Sequence, residues 1–456
     1  MKLASIFTDH MVVQKGLPIR IFGTGCGKAE VTFLGNTASE IFENDSWCLT
    51  LPEAQYGGPY EMKIRLNDEE ITLTDIYVGE VWIASGQSNM EMPLFRTRYG
   101  FQEAKYAHNE KIRFFDVPRR VERDVQKYGW PFFKTDGKDT PWEVCCEDTV
   151  LRASAIGYYV AKYKEELKSM YAFIKQRYDE ANYDEIEYTR EHGLDFTRPC
   201  PYKGYPACYK KGPNHPDCIG VLYDSMVSRI TPFGVCGVLW YQGEANVGEG
   251  YAENYGVYMD CMKDSFINPN MKFYSVEITG QMACGDDIPT GEFVVEKKNK
   301  AFTREAQRKA AMMYPDNHIV TTMQLADAND IHALNKESVA HRMVLKILRY
   351  SYGFDIKCEE PTFESASFRD GKAYIKLNNA DGLMSPELVL VNMYIADKSK
   401  KCKRADIEID GDTLILSNPE VKEPVYARYA FGTYYIGGHI VNDISLPLAP
   451  FRTDNE

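Results

Sequence analysis

The sequence predicts an α/β chain, a parallel sheet covered by helices with β-rich regions before and after it. Two observations carry this. Short runs of apolar–polar alternation fill residues 1–75 and return in residues 356–456. Between them, continuous apolar runs alternate with longer helical patterns, as in strands buried on both faces under helices.

The first region reads as a small β-sandwich-like domain. Its strand candidates are Ile19–Phe22, Val31–Leu34, Trp47–Leu51 and Met62–Leu66, separated by turn signals such as Gly23-Thr-Gly and Gly57-Gly-Pro. The pattern changes at Ile76. From there the strand candidates are Ile76–Ala84, Lys111–Val117, Val235–Tyr241, Phe273–Ile278 and Ile319–Leu325. Helices are expected at roughly 155–178, 220–230, 251–266, 300–313 and 335–350. The last region brings short strands again, at Ala373–Leu377, Leu388–Tyr394 and Ala405–Leu416. Residues 179–218 fit neither pattern. They are Tyr- and Pro-rich and irregular, as expected of an insertion serving a site, here a lid.

Composition excludes several classes. The 456 residues hold roughly three domains' worth of chain, and 44% hydrophobic with 26% charged residues is ordinary for a globular protein, not a disordered or coiled-coil one. No apolar run reaches the roughly 18 residues of a membrane helix; even Ile76–Ala84 contains Gly79 and Glu80. Met1-Lys2-Leu3 leads into Phe7-Thr-Asp-His10 without a signal-peptide core, so a cytoplasmic location is expected for the chain as given. A formal charge of −13 disfavours nucleic acid and anionic membranes as partners; an oligomer is compatible with such a surface. The twelve cysteines contain no CxxC pair. Cys200, Cys208 and Cys218 could hold a metal with His215, but without a tight pair an ordered insertion is the better reading, and no metal or cofactor is expected.

Three polar segments follow expected strand ends, the edge where open α/β sheets bind ligands. The first is Ser85-Gly-Gln87-Ser88-Asn-Met-Glu. Gly86 permits a sharp turn, and Ser88 at a helix start exposes its hydroxyl and N–H; an ordinary N-cap serine would sit there too. The second, Trp240-Tyr-Gln242-Gly-Glu244-Ala-Asn246, gathers neutral amides beside an acid, suited to an oxyanion, to sugar hydroxyls or simply to loop capping. The third, Asp327-Ala-Asn329-Asp330-Ile-His332, offers a proton shuttle flanked by carboxylates. Together they supply a nucleophile, neutral donors and a base, the composition of an acyl-transfer site.

Gly79-Glu-Val-Trp-Ile-Ala-Ser-Gly-Gln-Ser-Asn-Met-Glu and Gly237-Val-Leu-Trp-Tyr-Gln-Gly-Glu-Ala-Asn resemble signature blocks of the sialate O-acetylesterase family, within the SGNH/GDSL hydrolases. Ile6–Lys15, Arg304-Glu-Ala-Gln-Arg, Asp330-Ile-His, Asn335-Lys-Glu-Ser-Val-Ala-His-Arg and Pro450-Phe-Arg-Thr-Asp resemble further blocks in order, so the likeness covers most of the chain outside 160–218. It implies a three-layer, flavodoxin-like SGNH core over residues 76–355, carrying the β-rich accessory regions. It implies a carbohydrate O-acetylesterase, with an acetylated sugar as partner. Ser88 would be the nucleophile, His332 the general base, and Gln242, Asn246, Glu244 and Gln87 the oxyanion or substrate-binding groups.

Two departures stand out. The family carries a strand after the helix matching Ser154–Leu167, then a Trp-Gly-Gly stretch whose glycine N–H serves the oxyanion hole. Neither is legible here, and Gly204, Gly212 or Gly220 would have to supply a substitute. Asn329 occupies the position of the usual SGNH aspartate, three before the histidine. Asp330 is therefore expected to orient His332, with Asp327 or a backbone carbonyl as alternatives. Acetylxylan and other sugar esters remain open as substrates, as does a glycan-binding relative lacking activity. A carboxylated sugar would call for a nearby cation, for which Arg96 and Arg98 are candidates.

Overall fold

A computed structural model describes residues 1–117, 140–164, 171–176 (backbone), 221–246, 250–280, 300–327, 330–386, 392–434 and 438–454. By internal contacts the chain forms two compact units. The first comprises Met1–Gly86, Met90–Leu239 and Asp260–Met271; the second comprises Gln87–Asn89, Trp240–Met259 and Lys272–Glu456.

In the first unit, Lys2–Leu3, Ile19–Thr24 and Ser46–Leu51 form a three-stranded antiparallel sheet. Its alternation puts Ile19, Ile21, Trp47, Leu49 and Leu51 in the core. Gly27–Phe33 pairs antiparallel with Asn36–Phe42 and with Gly57–Leu66. Gly57–Leu66 in turn pairs with a strand of 18 residues, Glu69–Gly86 (β1). This strand passes through Ile76 without a break. Its first half pairs with the hairpin. Its second half, Glu80–Ala84, runs parallel to Tyr171–Gln176.

Asn109–Val117 (β2) runs parallel to Tyr171–Gln176 (β3), and Glu143–Cys145 adds an antiparallel edge to β2. The sheet is therefore mixed, and the fold is mixed α/β. The expected helix over 155–178 is corrected here. It spans Ala155–Lys164, and residues 171–176 are the strand that the sequence did not reveal. Buried Lys164 closes the helix by pairing with Glu80 of β1, Nζ to Oε2 3.4 Å, beneath the Trp82 ring.

Gly237–Tyr241 (β4) carries the chain from the first unit into the second. There the helix Tyr251–Ser265 (α1) is followed by Lys272–Val276 (β5), the helix Lys300–Met313 (α2), Asn317–Val320 (β6) and the helix Lys336–Tyr350 (α3). β5 and β6 pair in parallel. β6 ends before the expected Leu325, because Met323–Leu325 turns into a 3₁₀ helix. The last residues make two four-stranded antiparallel sheets. One is ordered Thr362–Arg369, Lys372–Asn378, Thr413–Ser417 and Asp406–Asp410; the other is Lys403–Arg404, Met393–Ala396, Tyr426–Tyr429 and Phe451–Arg452. Ile375, Leu414, Leu416, Met393, Ile395, Tyr429 and Phe451 share one core. Gly411, at φ +58°, turns the expected single run 405–416 into a hairpin. Residues 388–391 of the expected strand 388–394 lie outside the described residues.

Candidate active site

The nucleophile candidate follows directly from the backbone of β1. Gly86 ends the strand at φ +148°, a conformation that favours glycine, and the chain reverses into the single helical turn Ser88–Glu91. The turn is fixed through Gln87, the residue before Ser88. The Gln87 N–H donates to Tyr241 O (2.8 Å), and the Gly243 N–H donates to Gln87 Oε1 (3.2 Å). Ser88 itself is exposed and Asn89 is buried, 1% accessible.

His332 Nε2 lies 2.9 Å from Ser88 Oγ. On the other side of the ring, Nδ1 is 3.2 Å from Asp330 Oδ1, and the same oxygen accepts the His332 backbone N–H at 2.8 Å. The structure thus brings Ser88, His332 and Asp330 into one line. Asp327 instead lies near Tyr434, whose hydroxyl it helps to raise after burial has done most of that. Asn329 lies outside the described residues.

The Gln242–Asn246 loop is braced from below. Gln307 on α2 donates from Nε2 to Gln242 O (2.8 Å) and accepts the Ile278 N–H (3.0 Å). Tyr251 OH also donates to Gln242 O (3.0 Å). Thr303 Oγ1 donates to Asn246 O (3.1 Å). Gly243 adopts φ +147°, with its α-carbon face against Gln307, Ile278 and Thr303. The Gln242 side chain remains solvent-accessible and gives one Nε2 proton to Asn246 Oδ1 (2.6 Å).

Glu244 turns inward, where Asn89 Nδ2 donates to its Oε1 at 2.5 Å. The carboxylate raises the Tyr241 hydroxyl further above its ordinary range, burial being the larger cause. It also offsets part of the lowering that burial imposes on Lys300, at the start of α2, while Arg304 adds to that lowering. Lys300 is therefore a cation close enough to this loop to interact with Glu244. Arg96 and Arg98, at the turn Leu94–Arg96, belong to the first unit.

Three residues that matter here escaped the sequence reading. Asn89, Gln307 and Lys336 stood inside quoted motifs without a role. Lys336 is fully buried, with Nζ 2.5 Å from Asn89 Oδ1. A lysine in an amphipathic helix gives no signal of burial. Cys200, Cys208, Cys218, His215, Gly204, Gly212, Gly220 and the whole 179–218 insertion lie outside the described residues.

Comparisons with known proteins point to one kind of enzyme. Residues 209–346 match the family model described as carbohydrate esterase, sialic acid-specific acetylesterase. The human sialate O-acetylesterase is 25% identical over 393 residues, covering 77% of this chain and 71% of the human protein. The Rattus norvegicus sialate O-acetylesterase is 23% identical over 413 residues, covering 77% and 74%. The crystal structure of a carbohydrate acetylesterase from Xanthomonas citri superposes with a TM-score of 0.82, at 25% identity, over 100% of both chains. The family model, the relatives and the shared fold together support the sialate O-acetylesterase family of carbohydrate esterases, and the chain is a carboxylic ester hydrolase.

Proposed function

We propose that this enzyme removes O-acetyl groups from carbohydrate through an acyl-enzyme on Ser88, within a three-layer SGNH-type core. The observation that carries the proposal is the 2.9 Å contact between Ser88 Oγ and His332 Nε2, with Asp330 on the far side of the ring. Ser88 Oγ attacks the acetyl carbonyl carbon as His332 Nε2 takes its proton. The tetrahedral oxyanion is held by the Ser88 N–H and by amide donors from Gln242 and Asn246. Collapse breaks the ester C–O bond, and His332 gives its proton to the departing sugar oxygen. Water then attacks acetyl-Ser88, His332 again accepts a proton, and acetate leaves as Ser88 regains its own. Asp330 holds the ring and balances the imidazolium formed in both halves. A cytoplasmic enzyme of this kind would act on short sugars rather than polymers.

Acetate release from O-acetylated sialic acid and from acetylated xylo-oligosaccharides, by wild type and Ser88→Ala, tests the proposal. Loss of release in the variant is expected, and the preferred substrate selects the sugar class. Lys300 is a candidate cation for a carboxylated sugar, and preference for the sialic ester would depend on it. Undiminished release by Ser88→Ala would refute the serine mechanism.

A further inference from the structure

We propose that Asn89, held by the buried ammonium of Lys336, is the positioning residue that sets the distance between nucleophile and base. The proposal rests on the Ser88–His332 mechanism above. Asn89 has two amide protons and one carbonyl oxygen, and all are engaged. Nδ2 donates to Glu244 Oε1 (2.5 Å) and to Ile331 O (3.0 Å), while Oδ1 accepts from Lys336 Nζ (2.5 Å). Two acceptors on one side and an ammonium on the other fix which end of the amide is nitrogen. Both Asn89 and Lys336 are buried, at 1% and 0% accessible, so each of these bonds is protected from exchange with water.

The three partners lie in three different parts of the chain. Ile331 immediately precedes His332, so its carbonyl ties the base-bearing loop to the residue next to Ser88. Glu244 belongs to the loop that presents Gln242 and Asn246. Lys336 opens α3, the helix that follows the His332 loop, and its Nζ lies 5.2 Å from the centre of the Tyr241 ring. One buried amide therefore joins the nucleophile turn, the base loop and the donor loop. Asn89 touches no reacting atom in this scheme; it acts through the position of its neighbours. Displacement of a catalytic pair by about 1 Å can cost on the order of 100-fold in rate.

Asn89→Asp is nearly isosteric and keeps a partner for Lys336, but it turns an oxygen toward both Glu244 and Ile331 O. The test measures kcat and KM on a small activated acetyl ester, normalised to the number of Ser88 sites titrated by a phosphonate inhibitor. The expected result is a fall of about 30- to 100-fold in kcat per titrated site, with KM within about threefold. A merely structural residue would lower the number of titratable sites and leave kcat per site intact. That outcome would overturn the proposal. Lys336→Gln, which retains a neutral donor toward Asn89, is expected to lose less activity per site than Lys336→Met. Equal loss in both would also count against it. Ser88→Ala separates the two readings. Activity surviving in that variant removes both, whereas a dead Ser88→Ala beside an unimpaired Asn89→Asp removes this one alone.

Discussion

Replacing Asp330 by Asn removes one charge while leaving an oxygen for the His332 backbone N–H, which Asp330 Oδ1 accepts at 2.8 Å. The loop therefore keeps its anchor, and the experiment isolates the electrostatic contribution. At the observed 3.2 Å between Nδ1 and Oδ1, the attraction of an imidazolium for the carboxylate is about 5 kcal/mol at an effective dielectric near 20 and about 1 kcal/mol in bulk water. The side chains of His332 and Asp330 are 26% and 31% accessible, so the site lies between these limits. A midpoint of about 3 kcal/mol, appearing only once the histidine is charged, corresponds to a loss of roughly 150-fold in kcat. KM should hardly change, because the lost attraction acts only as His332 takes the proton from Ser88. This is less than the roughly 10⁴-fold loss reported by a buried triad aspartate, and the partial exposure is the reason. Steady-state hydrolysis of an activated acetyl ester provides the assay. Activity within twofold of wild type, beside an inactive Ser88→Ala, would show that a backbone carbonyl and not Asp330 orients the ring.

Further predictions concern the support of the site and the pH range of the fold. At Gly243, a Cβ would lie 2.8 Å from Gln307 Nε2 and 3.1 Å from Ile278 Cγ2, at φ +147°. Gly243→Ala should therefore cost about 1–3 kcal/mol of stability and lower kcat by displacing Gln242; an unchanged melting temperature and kcat would refute the packing account. Burial, reinforced by Lys346, lowers His318 from 6.5 to about 4. Its ring stacks on Tyr350 at 3.8 Å. Between pH 6.5 and 4 the unfolded chain takes up a proton that the folded one refuses, so this group's stabilisation is present above pH 6.5 and lost as pH falls toward 4. After discounting for solvent exposure the loss is about 1–2 kcal/mol, and urea titrations of wild type and His318→Phe should converge across that window. Parallel curves would sink the assignment.

The candidate line Ser88–His332–Asp330 was legible because polar residues at strand ends leave a local signature. Ser88, Gln242 and His332 each follow an apolar run in a polar segment, and the conjunction of the three segments, not any one of them, marked the site. The supporting residues were not legible, because their role is set by burial that no short window encodes. Lys336 and Gln307 lie on helices with ordinary amphipathic patterns, and only the packed structure turns them inward. The strand Tyr171–Gln176 was read as helix because no Gly or Pro separates it from Ala155–Lys164, and its apolar residues extend that helix's pattern. Asn36–Phe42 was missed for the opposite reason. It pairs with Gly27–Phe33 along an exposed face and has almost no apolar side to alternate.

The division of the chain also orders events in time. Gln87–Asn89 pack with residues after 240, although they are synthesised with the N-terminal strands. At about 5–20 residues per second, the 244 residues between Ser88 and His332 take roughly 12–50 s to emerge from a ribosome. On the proposed mechanism, the hydroxyl has no base to activate it throughout that interval, and the buried face of Asn89 has no lysine to meet. On that mechanism nascent chains would acquire hydrolytic capacity late, once His332 and Lys336 have been made and can reach the turn.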